Sequence, residues 1–230
     1  VSKFGGTFRR FGPVLLIAVA LGIGWAIGAQ SDHSSDGGGH EMHEPALARD
    51  DSTVERSFLQ AMVPHHRSGI EMAEIALDRA EAPEVMKLAQ AIRDTQGDEI
   101  ELMERIHQRL FDAPLEPDEG AHAALGLSMH EAGMGHDEAM MEEFAKAKPF
   151  DRAFVDEMVP HHQGAVEMAR VLLERTDDAE LRKLGQAIID AQQREIAAMN
   201  DFRTERYGGP VPPKKPSEEG EHGGMEMDGG

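Results

Sequence analysis

The 230-residue chain contains no cysteine. Disulfides, thiolate metal sites and cysteine nucleophiles are therefore excluded together. Aromatic side chains are scarce at 5%, with one Trp and one Tyr, which argues against a large aromatic-rich β-sandwich. Basic charge is scarce as well: 23 Lys and Arg face 43 Asp and Glu, for a net charge of -20 and a pI near 4.9. Such a chain lacks the clustered cations that displace counterions from a phosphate backbone, so no nucleic-acid partner is expected. No nucleophilic serine motif, phosphate loop or dinucleotide fingerprint appears, and no enzymatic activity is expected. What the chain has in quantity is 14 Met and 12 His, many of them adjacent. That composition points towards soft-metal chemistry.

A long uncharged run stands near the start. Lys3, Arg9 and Arg10 form a basic end, and Phe11 to Ser31 carries no charge, about the length that crosses a bilayer. This favours residues 1–31 as an uncleaved, single-span membrane helix. The alternative is a cleaved signal ending at Ala26-Ile27-Gly28, after a shorter apolar core. The Arg9-Arg10 pair resembles a twin-arginine signal, although the residues after it match poorly. Either way the basic end stays inside and the remainder is exported, to the outer side of the cell membrane or to the periplasm or medium.

The remainder is organised by a repeat. Phe58 to Ile106 aligns without a gap on Phe154 to Phe202 at an offset of 96, with about 22 of 49 positions identical. Met62-Val63-Pro64-His65-His66 recurs as Met158-Val159-Pro160-His161-His162, and Glu71-Met72-Ala73 as Glu167-Met168-Ala169. Gln96, Glu99, Ile100 and Met103 recur as Gln192, Glu195, Ile196 and Met199. Each copy reads as a helical hairpin. Ser52-Thr53-Val54-Glu55 is a capping box opening a helix to about Ala80, and Pro83 starts a second helix to about Leu110. The second copy begins near Asp151, turns at Thr176-Asp177-Asp178 and stops at Gly208-Gly209. Two such hairpins, residues 51–110 and 151–207, predict an all-α four-helix bundle with pseudo-two-fold symmetry. Residues 32–50, the central linker within 111–150 and the tail 208–230 read as flexible, with a short helix at 137–147.

Helical spacing then orients the repeated polar residues. At 100° per residue, Phe58, Leu59, Met62, Ile70, Ala73 and Leu77 form one stripe with His66 in its middle. His65 falls on the flank, beside Met72. On the return helix, Gln96 and Glu99 lie inside the stripe of Val85, Leu88, Ile92, Met103 and Ile106. Antiparallel pairing brings Met62, His66, Gln96, Glu99 and Met103 to one layer, and Met158, His162, Gln192, Glu195 and Met199 to its counterpart. A buried carboxylate needs a partner, which a histidine or a metal supplies. Methionine at helical spacing is usually core filler, and a His-Glu-Gln network can simply fix register. The doubled His-His pairs flanked by Met favour metal. Pro64 and Pro160 lie inside helices, where each frees the carbonyl four residues earlier. Further Met and His residues stand outside the repeats at His40 to His43, Met129-His130, Met134 to His136, Met140-Met141 and His222 to Met227. Thioether and imidazole donors without thiolate suit copper, above all Cu(I), in an exported setting.

These motifs, Met-Val-Pro-His-His followed by Glu-Met-Ala with Gln-x-x-Glu-Ile on the return helix, resemble the exported bacterial family called domain of unknown function 305. The resemblance covers roughly residues 50–207. It implies a ferritin-like four-helix bundle, and in one branch a periplasmic or extracellular copper-binding protein that aids copper resistance. On that resemblance His65, His66, Met72, His161, His162 and Met168 are the first metal ligands, with Met62 and Met158 next. Gln96, Glu99, Gln192 and Glu195 would support them. Copper-handling proteins and the membrane are the implied partners. Two other readings stay open. Glu99 and Glu195 beside histidines suggest a ferritin-like dinuclear iron or manganese oxidase, although such sites need more inward carboxylates and Glu-x-x-His on helices; Glu119-x-x-His122 lies in the linker. The third reading is an interaction bundle whose histidines only set packing.

Overall fold

The computed structural model describes residues 51–213, and the N-terminal apolar segment and the last tail from residue 214 lie outside them. Among the described residues no helix is long and apolar enough to cross a membrane. The first hairpin is α1 (Asp51–Arg79) and α2 (Pro83–Phe111). After a 3-10 helix, Glu119–Leu125, and the short α3 (Glu138–Lys146) comes the second hairpin, α4 (Phe150–Arg175) and α5 (Ala179–Tyr207).

Local chemistry sets these limits. Pro83 occupies the first turn of α2, where its missing N–H has no helical partner to lose. Asp178 caps α5, its carboxylate accepting from the Glu180 and Leu181 amides at 3.1 and 2.9 Å. Gly208 ends α5 at φ 82°, a left-handed position that a side chain disfavours.

The Glu55 carboxylate, expected to cap its own helix, accepts from the Thr176 hydroxyl in the other hairpin's turn. Its repeat counterpart Asp151 does the equivalent, accepting from the Glu81 and Ala82 amides of the first turn at 3.0 Å each. Each hairpin turn is thus held by the start of the opposite repeat, which makes α1 and α4 antiparallel neighbours. The four long helices pack as a closed ring in the order α2, α1, α4, α5.

Two apolar clusters fill the interior. One gathers Phe58, Leu59, Met62, Met103, Met168 and Leu172, and the other Met72, Ile92, Phe154, Met158 and Met199. Each fully buried side chain of this size contributes about 1.5–3 kcal/mol over its exposed state. Both clusters mix the repeats, because the antiparallel α1/α4 pair brings the end of one copy beside the start of the other.

The central linker corrects the sequence reading most. Residues 112–136 were expected to be flexible; instead Ala121, His122, Leu125 and Ala132 are buried against the bundle. Pro64 explains one anchor. It has no N–H for the Gln60 carbonyl, and the linker's Asp118 amide donates to that carbonyl at 3.0 Å. Gly164 explains another: a Cβ there would lie 2.2 Å from the Ala132 carbonyl carbon, so only glycine admits the linker backbone. The first residues after α5 are docked too. Arg203 donates to Asp156 and to the Gly209 and Pro210 carbonyls, and the Val211 amide donates to Asn200 Oδ1 at 2.8 Å.

Candidate metal centre

The four repeated histidines meet where α1 and α4 cross. His65 and His161 are 1% exposed, and His66 and His162 are fully buried. The rings of His65 and His161 stack at 3.7 Å between centroids. Each Nε2 donates to the other residue's backbone carbonyl at 3.1 Å. The helix flank that carries His65 therefore faces the other repeat rather than solvent. The second repeat covers that flank, and Met72 packs with Met158 and Met199.

His66 and His162 behave as their spacing predicts. Nε2 of His66 lies 2.9 Å from Glu99, and Nε2 of His162 lies 2.8 Å from Glu195. The carboxylates come from the return helices of the same repeats, in the register expected for each hairpin. Gln96 and Gln192 are buried at the same level. Met62 and Met103 share a cluster completed by Met168, and Met158 and Met199 share one completed by Met72. Each cluster thus takes one of its methionines from the other repeat.

The electrostatics favour neutral rings at the centre. Burial, followed by the neighbouring histidines, holds both His65 and His161 well below the ordinary imidazole range. Neutral imidazole is the ligating form. Nδ1 of His65, His66, His161 and His162 is buried with no hydrogen-bond partner, and so are both polar atoms of the Gln96 and Gln192 amides. An unsatisfied buried group costs about 1–3 kcal/mol, so four such ring nitrogens form a costly arrangement for packing alone. A soft cation fits this donor set. Among the described residues no three His, Asp or Glu side chains are grouped to hold one metal ion.

Three further histidines have positions that the sequence did not foretell. His107 closes a second Glu-x-x-His, Glu104 to His107 on α2, but its Nδ1 is 2.9 Å from the Ala113 carbonyl and Glu104 is exposed. His122, of Glu119-x-x-His122, is tied to the Leu127 carbonyl at 2.8 Å. Both rings fasten the linker. His136 from the linker lies edge-on to His161, 5.5 Å between centroids. Only adjacency to Met134 marked it in the sequence, because nothing local shows that the linker folds back.

These features define a class: a duplicated, all-helical bundle with paired histidines at the contact between its repeats. The chain belongs to the family described as domain of unknown function (DUF305), whose model matches residues 55–203. It is similar to the structure of CopM in its Cu(I)-bound form, with 38% identity and a TM-score of 0.57 over 67% of this chain and 98% of that one. CopM bound to silver by soaking aligns at 36% identity and a TM-score of 0.56, over 67% and 97%. A Streptomyces coelicolor family member described as secreted aligns at 27% identity and a TM-score of 0.61, over 69% and 96%. Uncharacterized protein L153 of Acanthamoeba polyphaga mimivirus is 38% identical over 56 residues, 24% of this chain and 37% of that protein's length.

Proposed function

We propose that this protein is an exported, non-enzymatic copper-binding protein that takes Cu(I) into its bundle to buffer it or pass it to other copper-handling proteins. The observation that carries this is the set of four buried Nδ1 atoms without hydrogen-bond partners, each on a histidine of the repeated Met-Val-Pro-His-His motif whose methionine is also buried. The similarity to CopM, solved with Cu(I), Cu(II) and silver bound, supports copper as the ion. The chemistry agrees, since neutral imidazole and thioether donors suit a soft monovalent cation.

In this reading His65, His66, His161 and His162 supply nitrogen, and Met62, Met72, Met103, Met158, Met168 and Met199 supply sulfur. Glu99 and Glu195 orient His66 and His162 through their Nε2 atoms, which leaves Nδ1 for the metal. Gln96 and Gln192 line the same layers. The N-terminal segment acts as membrane anchor or export signal, and the secreted family member is consistent with an extracytoplasmic location.

The test is an anaerobic Cu(I) titration of the untagged full chain against a competing chelator. His65→Ala/His66→Ala and His161→Ala/His162→Ala are each expected to weaken bundle binding by at least tenfold. If both variants compete for copper as well as the parent does, the bundle does not hold the ion.

A further inference from the structure

The linker that folds back over the histidines brings its own donors. A cleft of about 260 Å³ is lined by His65, Ser68, His161, Met129, Met134 and His136. His65 and His161 are 1% exposed and Met129 is 51% exposed, so the rings form the floor and Met129 stands at the rim. We propose that this cleft is a second site for a soft monovalent cation, Cu(I) or Ag(I), held by the Met129 and Met134 thioethers and the His136 imidazole. It is the port through which the ion reaches the buried histidines. The proposal rests on the copper reading above and adds an entry point to it.

Four observations carry it. The linker is built to this shape: Gly133 and Gly135 take φ of 66° and 106°, which a side chain disfavours. A Cβ at Gly133 would lie 2.7 Å from the His161 carbonyl oxygen, and one at Gly135 would lie 3.3 Å from Met129 Sδ. Next, nearby carboxylates are engaged in local structure. Asp118 accepts from the Gly120 amide, Glu131 from the Ser128 amide and hydroxyl, and Asp137 from the Met140 amide. The lining of the cleft itself is rich in thioether and imidazole, a soft set, with Glu119 as the carboxylate not tied up in this way. Met129 is also not core filler, because a methionine half exposed to water gains little from packing.

The fourth observation is the passage inward. Ser68 lines the cleft with a buried hydroxyl that has no hydrogen-bond partner. The His136 ring lies 5.5 Å from that of His161, close enough for an ion to exchange one imidazole for the next. Glu157 lies 3.9 Å from His136 Nε2 and Glu119 lines the cleft, so negative charge offsets an arriving cation.

The experiment uses the full chain with 13C-labelled methionine methyls, titrated with Ag(I), which avoids redox side reactions. The Met129 and Met134 methyl signals are expected to shift on ion addition, separately from those of the core methionines. Met129→Leu/Met134→Leu, a volume-conserving pair, is then expected to slow filling of the bundle by at least tenfold in stopped-flow transfer from a Cu(I)–chelator complex. His136→Gln is expected to act in the same direction. Unmoved Met129 and Met134 signals, or unchanged filling in the double variant, would overturn the cleft site while bundle binding stood. A parent chain that takes up no ion in the bundle would overturn the copper reading and the port with it.

Discussion

The two repeats are alike inside and unlike outside. At the centre, His65 and His161 exchange equivalent hydrogen bonds, and the His66–Glu99 and His162–Glu195 pairs differ by 0.1 Å, at 2.9 and 2.8 Å. One turn further along, the copies diverge. Ser68-Gly69 in α1 corresponds to Gly164-Ala165 in α4. Gly164 receives the linker backbone, whereas Ser68 faces a cleft. Gly69 instead leaves room for Gln96 and His161, where Ala165 is packed in the core. Duplication preserved the polar interior because each half completes the other. The outer surface was free to diverge, and the linker occupies one side of it.

Breaking the outer difference should have the largest effect. Gly164→Ala sets a methyl against the Ala132–Gly133 backbone, which cannot swing aside as a side chain can. A loss of about 3 kcal/mol is expected, read by urea unfolding, with faster hydrogen exchange in residues 128–136. Gly69→Ala meets chiefly the Gln96 side-chain oxygen at 2.5 Å, which can rotate, so about 1 kcal/mol is expected. Equal losses would show that the linker contact does not distinguish the halves.

The inner likeness predicts matched costs. Glu99→Ala and Glu195→Ala each strip Nε2 of a fully buried histidine of its acceptor. Both should lose about 2 kcal/mol, and a gap above about 1 kcal/mol between them would refute equivalence of the two sites.

The stacked pair predicts a pH response. His65 and His161 lie well below their ordinary value of 6.5 when folded, so between pH 6.5 and the folded values the unfolded chain binds more protons. Stability is therefore full above about pH 6.5 and falls as the pH drops, by up to about 1.4 kcal/mol per pH unit for each ring. Urea midpoints for the metal-free protein between pH 7.5 and 5 measure it, and a flat profile would mean that the rings protonate freely within the fold.

The smallest effect belongs to the helix ends. Asp151→Ala leaves two turn amides without their acceptor and Glu55→Ala leaves one hydroxyl. Thermal unfolding should report about 1 kcal/mol for the first and less for the second.

Much of this was written locally. Pro83, Asp178 and Gly208 mark helix ends through chemistry confined to a few residues, so the hairpins and their limits were legible from spacing and caps. The His66–Glu99 pairing was legible for the same reason: a short turn sets the register of an antiparallel hairpin, and helical periodicity sets the facing side chains. The prolines were legible in half. Pro64 predicts a freed carbonyl at Gln60, but not that the Asp118 amide would take it. Nor does the capping-box pattern predict that Glu55 accepts from Thr176, 121 residues away in sequence.

By itself, then, the sequence determined a duplicated all-helical unit, an acidic chain without thiols, and on each copy one histidine inside the apolar stripe with a second at its flank. Those properties depend on composition and on periodicities of a few residues. Tertiary structure alone decided that His65 meets His161, that each cluster borrows a methionine from the other repeat, and that the linker covers the centre with Met129, Met134 and His136. These depend on how two amphipathic hairpins pack across an antiparallel contact, which no local period encodes. Gly164 shows the limit most directly: in a helix it reads as a weak helix former, and only the backbone lying against it reveals why no side chain fits there.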